Sequence, residues 1–168
     1  MVTNIADRYR RWFEYEMDAH QKVLDALEAA DAQGASLSFQ KANDLFAHII
    51  AARLLWLFRL GALDESPRDM FPQGALLETL RPLANQMHEL WLAYLNGLDD
   101  AELARVFDYR ALDGEPFRNS VEDILTQLFG HSWYHRGQIA LLLRSGGGEP
   151  AATDFVFWCR EPIQSDSL

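Results

Sequence analysis

The chain has 168 residues, 49% of them hydrophobic, and we expect residues 1–168 to form one compact domain with a sizeable core. Its formal net charge is −10 at pH 7 and its Lys and Arg residues form no cluster, which argues against a nucleic-acid partner. Cys159 is the only cysteine, so an internal disulfide and a thiolate-rich metal site are both excluded.

The first half of the chain has the periodicity of two helices. A helical stripe in residues 3–30 predicts a first helix that ends near Gly34, with Phe13, Met17, His20, Leu24 and Leu27 on that stripe. Ser38 is the predicted N-cap of a second helix, which runs to about Leu60 and stops at Gly61.

The middle of the chain predicts a loop, a third helix and a hairpin. Pro67 and Pro72 mark residues 61–74 as a loop. Helical spacing then predicts a third helix ending at residues 96–97, in which Pro82 fits only in the first turn or at a kink. Residues 105–110 alternate polar and apolar side chains before the turn residues Asp113 and Gly114, which indicates a small hairpin.

The last long helix is predicted to open with a capping box and to close at a run of glycines. Ser120 and Asp123 have the spacing of the box, and residues 145–148 supply the stop. The aromatic segment that follows, residues 154–160, is expected to fold back on the helices and close one side of a pocket.

Two histidines on this last helix attract attention. His131 and His135 are four residues apart, so they differ by only about 40° around the helix axis and share its apolar face. Each ring is either a hydrogen-bonded core residue or one ligand of a shared metal ion. The metalloprotease motif HExxH is excluded because Ser132 follows His131.

A third histidine favours the metal hypothesis. His48 lies on the second helix, and its face carries Ala51 and Ala52, which leave space for an ion and a ligand. The remaining histidines, His20 and His88, are expected to be surface or satisfied interior residues outside the site.

Residues 46–61 and 124–146 together resemble the DinB (YfiT-like) family of metal-dependent proteins. Its members carry a histidine on the second helix and an HxxxHRGQ run on the last long helix, which match His48 and the run from His131 to Gln138. The resemblance implies an all-α four-helix bundle, with the hairpin as a small insertion before the last long helix. It also implies a three-histidine metal site formed by His48, His131 and His135.

Three neutral imidazoles leave at least one coordination position open for water or substrate. A set of nitrogen ligands suits zinc or nickel, with iron as a third option. Such an ion activates water or a low-molecular-weight thiol, and the sequence has no evident Ser/His/Asp or Cys/His nucleophile set to do so instead. The resemblance implies a thiol S-transferase, a hydrolase or an isomerase, because its members include thiol S-transferases that use the bacterial thiols replacing glutathione.

The leading hypothesis is therefore a metal-dependent thiol S-transferase or hydrolase that acts on a small electrophilic molecule. A non-catalytic metal-binding or small-ligand-binding protein of a stress response is the alternative, and an interaction module with a structural metal is a third reading. A fourth protein ligand that closed the coordination sphere would favour a structural metal.

Four residues near the histidines have predicted roles, and for three of them two alternatives stay open. Asp44 either accepts the free N–H of His48 or is a solvated carboxylate, and Gln138 either binds a substrate or histidine or packs at a helix crossing. Arg136 is expected to form an ion pair or cap a loop, and Gly137 to permit a close helix approach.

The second helix is apolar almost all round, since Phe46, Ile50 and Leu57 oppose the His48 face. No helix of a four-helix bundle is wholly enclosed, so this stripe predicts a homodimer, with cover by loops or the C-terminal tail as the alternative. The N-terminus lacks a signal-peptide pattern, and no apolar run approaches the eighteen or so residues of a membrane span. We expect a cytoplasmic protein with no membrane partner.

Overall fold

The computed structural model describes residues 4–32, 34 and 36–163. It confirms an all-α four-helix fold with a small two-stranded insertion before the last long helix. The elements in chain order are α1 (Ile5–Asp31), α2 (Leu37–Arg59), α3 (Leu77–Asn96), α4 (Asp100–Ala104), β1 (Val106–Arg110), β2 (Pro116–Ser120), α5 (Val121–Ser145) and α6 (Phe155–Cys159).

Side-chain caps fix where the helices begin. The predicted capping box at α5 is confirmed, because Ser120 and Asp123 each accept a hydrogen bond from the other's backbone N–H. The prediction of Ser38 as the N-cap of α2 is wrong. Ser36 has the extended backbone of a cap and its Oγ accepts from the N–H of Phe39, which leaves Ser38 inside the first turn. The predicted start of α1 at residue 3 lies outside the described residues.

Pro82 is not in the first turn of its helix. It is the sixth residue of α3, so the first of its two predicted placements is wrong, and the helix continues beyond it to Asn96. The predicted hairpin is confirmed, with β1 and β2 antiparallel and Tyr109 opposite Phe117. Gly114 has a φ of 90° in the connecting turn, a conformation that glycine adopts without strain.

The apolar stripe of α2 lies in the core of this chain. Phe46, Ile50 and Leu57 are at most 3% exposed, because α2 packs against α1 and α3 as well as α5. The inference that one chain cannot cover this stripe is therefore wrong. The buried stripe gives no support to a homodimer, and the homodimer stays a prediction.

A buried ionic network ties together the helices that carry the predicted site. The carboxylate of Glu16 on α1 accepts hydrogen bonds from Arg53 on α2 and from Arg136 on α5, and all three side chains are buried. Arg53 also donates to Ser132 Oγ at 3.2 Å, and Arg136 to the hydroxyl of Tyr15 at 2.8 Å. The expected ion pair of Arg136 is thus present.

The aromatic tail folds back on the bundle, as expected. Phe155 of α6 makes an edge contact with Tyr15 of α1, with ring centroids 5.1 Å apart. The tail and α5 together line an open cavity of about 500 Å³. Among the helices of the described residues, none has the length and apolarity to cross a membrane.

Candidate metal centre

The fold brings His48, His131 and His135 into one group, although α2 and α5 are far apart in sequence. His131 Nε2 lies 3.2 Å from His48 Nε2 and 3.1 Å from His135 Nε2. One nitrogen from each ring lies within 4.8 Å of the others, and each residue is partly exposed. The backbone spacing of four residues places the α5 pair, and the packing of α2 against α5 adds the third ring.

The outer nitrogens of two rings are held by oxygen atoms. His48 Nδ1 lies 2.5 Å from the carbonyl oxygen of Met70, and His135 Nδ1 lies 2.7 Å from Gln138 Oε1. Because these oxygens accept, both Nδ1 atoms carry the proton in the neutral ring, and the lone pair falls on Nε2. Gln138 therefore contacts a histidine, one of its two predicted roles.

Asp44 does not accept the free N–H of His48, so that reading is wrong. Its Oδ1 accepts instead from the side chain of Gln40 at 3.0 Å and from the backbone N–H of Ala75 at 2.8 Å. These bonds tie α2 to the end of the loop before α3. The loop itself supplies the His48 partner, which the sequence does not signal.

The third ring shows why the group fits a cation. His131 Nε2 faces both other Nε2 atoms, and its Nδ1 is buried without a hydrogen-bond partner among the described residues. A neutral His131 ring has one N–H proton, which cannot be donated to the Nε2 lone pairs of both His48 and His135. A metal ion can accept all three, and ligands about 2.1 Å from one ion lie about 3.0 to 3.4 Å apart. The His₃ group can therefore hold a metal ion.

Burial favours the neutral form of the two imidazoles on α5. It lowers the pKa of His131 to about 4, helped by the neighbouring His135, His48 and Arg53. Burial also lowers the pKa of His135, against the opposing effect of its hydrogen bond to Gln138. Neutral rings at pH 7 are the form that binds metal, since a proton competes with the ion for the lone pair.

Two open clefts meet at the histidines. The Gln138 cleft, about 430 Å³, lies on the His135 side and is lined also by Lys41, Asp44, Gln73 and Tyr134. The hairpin cleft, about 610 Å³, lies on the His131 side and is lined also by Trp56, Arg59, Tyr109, Leu112 and Phe117. His48 and Phe71 line both clefts, and their rings are stacked with centroids 4.9 Å apart.

His20 and His88 lie outside this group. They are buried in the bundle, where His20 Nδ1 is 3.0 Å from His88 Nε2 and the two rings are stacked. The prediction that Gly137 permits a close helix approach is wrong. A Cβ atom there would meet no heavy atom within 4 Å, because Gly137 borders an open cavity.

The family model for the DinB family matches residues 1–164. The chain belongs to the DinB family. A crystal structure of a DinB-like protein from Bacillus cereus ATCC 10987 resembles this DinB chain with a TM-score of 0.66, at 22% sequence identity, over 86% of this chain and 94% of that chain. This likeness concerns the fold. A comparison with curated proteins gives no significant match.

Proposed function

We propose that this DinB protein is a metal-dependent transferase that joins a low-molecular-weight thiol to a small electrophilic molecule. The observation that carries the proposal is the convergence of three Nε2 lone pairs at the wall between two open clefts. An open His₃ site is typical of catalytic rather than structural metal ions. Two clefts that share His48 accommodate two substrates at once.

The proposed ligands are His48, His131 and His135, and the proposed ion is zinc or nickel, with iron as a third option. When bound there, such an ion lowers the pKa of a thiol or water toward neutrality. The hydrogen bonds from His48 to Met70 and from His135 to Gln138 hold both rings with Nε2 inward, which fixes the tautomer before any ligand arrives.

Among the described residues, no serine hydroxyl and no cysteine thiol lines either cleft. Ser132 is fully buried and its hydroxyl accepts from Arg53, and Cys159 lies on the separate helix α6. In the proposed reaction the thiol gives its proton to solvent and its sulfur bonds to the electrophilic carbon. The leaving group departs with the electron pair of the broken bond. The residues of the clefts position both reactants.

The two-cleft geometry is what favours transfer over hydrolysis. A hydrolase needs one cleft for its substrate and a position for water, whereas the Gln138 cleft offers Lys41, Gln73 and Gln138 as polar partners for a second molecule. Hydrolysis of a small electrophile is the second candidate function, and it would show turnover without added thiol.

Metal content tests the ligands first. Protein purified without a histidine tag should hold about one ion per chain, and His48→Ala, His131→Ala or His135→Ala should each lose most of it, since each removes one of three coordinate bonds. His20→Gln and His88→Gln are matched controls that remove a histidine from the same chain and should keep the ion. Equal metal content in all five variants would overturn the site.

Turnover tests the reaction. Metal-loaded protein is incubated with 1-chloro-2,4-dinitrobenzene and a panel of thiols that includes cysteine, coenzyme A and glutathione, and product is measured by absorbance. Conjugation that needs both thiol and metal supports the transferase. Product release without thiol points to the hydrolase, and bound metal without turnover points to a non-catalytic binding protein.

A further inference from the structure

One wall of the hairpin cleft is aromatic, and an arginine side chain packs against it. Trp56 projects from α2 two turns beyond His48, and its ring centroid is 5.0 Å from that of Tyr109 on β1. The guanidinium of Arg59 lies over both rings, 4.6 Å from the Trp56 centroid and 4.9 Å from that of Tyr109. The helix and the hairpin thus meet around one cation.

The hairpin presents two different faces. Tyr109 and Phe117 are opposite each other in the ladder, with ring centroids 6.1 Å apart, and both line the cleft. The next pair along the ladder, Asp108 and Arg118, is an exposed ion pair. Alternation along a strand places these pairs on opposite faces, so the aromatic face of the hairpin is turned to the cleft and the charged face to solvent.

Three apolar side chains around this cleft are more than half exposed to solvent. Phe71 is 60% exposed, Leu112 63% and Phe117 51%, and all three line the same cleft as His131. Apolar side chains gathered at the rim of a cleft mark a binding site more often than scattered ones do. Flat aromatic walls favour a planar ring.

The hydrogen-bonding groups of Arg59 are only partly used. Within the described residues, its one hydrogen bond runs from Nη2 to the carbonyl oxygen of Arg110 at 2.6 Å. Nε and Nη1 are therefore available, and burial lowers the pKa of Arg59 because the cation is partly removed from water. An anion bound to Arg59 would replace the favourable interactions with water that its guanidinium loses on burial. The acidic residue that also lines the cleft, Asp113, lies exposed in the hairpin turn and its Oδ1 accepts from the backbone N–H of Glu115.

We propose that the hairpin cleft binds a planar aromatic carboxylate, with its ring against Trp56, Tyr109 and Phe117 and its carboxylate on Arg59. A ligand held there lies beside His131 and His48, so it would be the electrophile of the proposed reaction; this role rests on the proposed function. The binding itself rests on Arg59 and the aromatic wall alone.

The test compares three ligands of similar size by titration calorimetry on the protein as purified. The probe is 4-nitrobenzoate, 4-nitrobenzamide is its neutral counterpart, and cyclohexanecarboxylate keeps the charge without a planar ring. We expect the amide to bind about tenfold to a hundredfold more weakly than the carboxylate, the range expected for a hydrogen bond to a charged group. The cyclohexane acid should also bind more weakly than the probe.

Variants assign the preference to Arg59. Arg59→Gln should remove the preference for carboxylate over amide, whereas Arg160→Gln should keep it, because Arg160 lies 4.6 Å from the ring of Phe157 on α6, outside the cleft. Phe117→Ala should weaken both nitro ligands about twofold to tenfold. Equal binding of acid and amide by the unmodified protein would overturn the proposal.

Metal content measured on the same samples separates this inference from the proposed function. A carboxylate can also bind a metal ion directly, and a preference that survives Arg59→Gln would place it there and overturn the inference while the metal site stands. An Arg59-dependent preference in protein that binds no metal would uphold the cleft and reject the proposed function.

Discussion

Replacing Glu16 by glutamine should destabilise the fold far more than its small change in shape suggests. Glu16→Gln keeps the volume of the side chain but leaves the guanidiniums of Arg53 and Arg136 buried without a counter-charge. Removing one partner of a buried ion pair costs about 3 to 5 kcal/mol. For a chain of this length, that loss corresponds to a fall in Tm of about 6 to 20 °C.

Urea unfolding followed by circular dichroism measures this loss at constant pH. Asp108→Asn is the matched control, because it removes the acid of an exposed ion pair with Arg118 and should leave the unfolding midpoint unchanged. Replacing Glu16, Arg53 and Arg136 together by leucine, methionine and methionine should recover much of the loss, since no unpaired charge is left. A loss below about 1 kcal/mol in Glu16→Gln would refute the assignment of the network as buried and ionised.

Three further outcomes are expected. Burial lowers the pKa of His88 to about 4, so between pH 6.5 and 4 this ring takes up a proton in the unfolded chain but not in the folded chain. The contribution of His88 to stability is complete above pH 6.5 and should fall by about 3 kcal/mol toward pH 4. Urea midpoints across that range should therefore fall less in His88→Gln than in the unmodified protein. Gly137→Ala should stabilise the fold by about 0.5 to 1 kcal/mol in thermal melts. Gly146→Ala should destabilise it, because the added Cβ would clash with the ring of Phe39. Zinc at about 100 times its Kd should add about 2.7 kcal/mol to the free energy of unfolding, an effect that chelation and His131→Ala should each abolish.

Local patterns were enough to predict the long helices and the hairpin. Helical spacing and turn residues act within a few positions, so the capping box at Ser120 and the turn at Gly114 were visible in the sequence. Ser36 and Ser38 compete for one cap, and the sequence alone does not show which of them adopts the extended backbone.

Other failures concern partners that are distant in sequence. Periodicity shows that both faces of α2 are apolar, but not that α1, α3 and α5 of the same chain cover Ile50 and its neighbours. The contact of His48 with the carbonyl of Met70 uses a backbone atom of a loop, so no residue type announces it. Asp44 has the spacing of a histidine partner, yet the loop end at Ala75 offers its Oδ1 a backbone N–H.

The run from His131 to Arg136 makes two sets of contacts, both fixed by the rotation of one helix. His131 and His135 point to α2 and the clefts, while Ser132 and Arg136, each one residue later, belong to the buried network with Glu16 and Arg53. Successive residues differ by about 100° around the axis, so the two pairs form parallel stripes with the same spacing of four. A rotation of α5 that moved the imidazoles would also break the ion pairs in the core. The buried ionic network therefore couples the rotation of α5 about its axis to the positions of His131 and His135 beside His48.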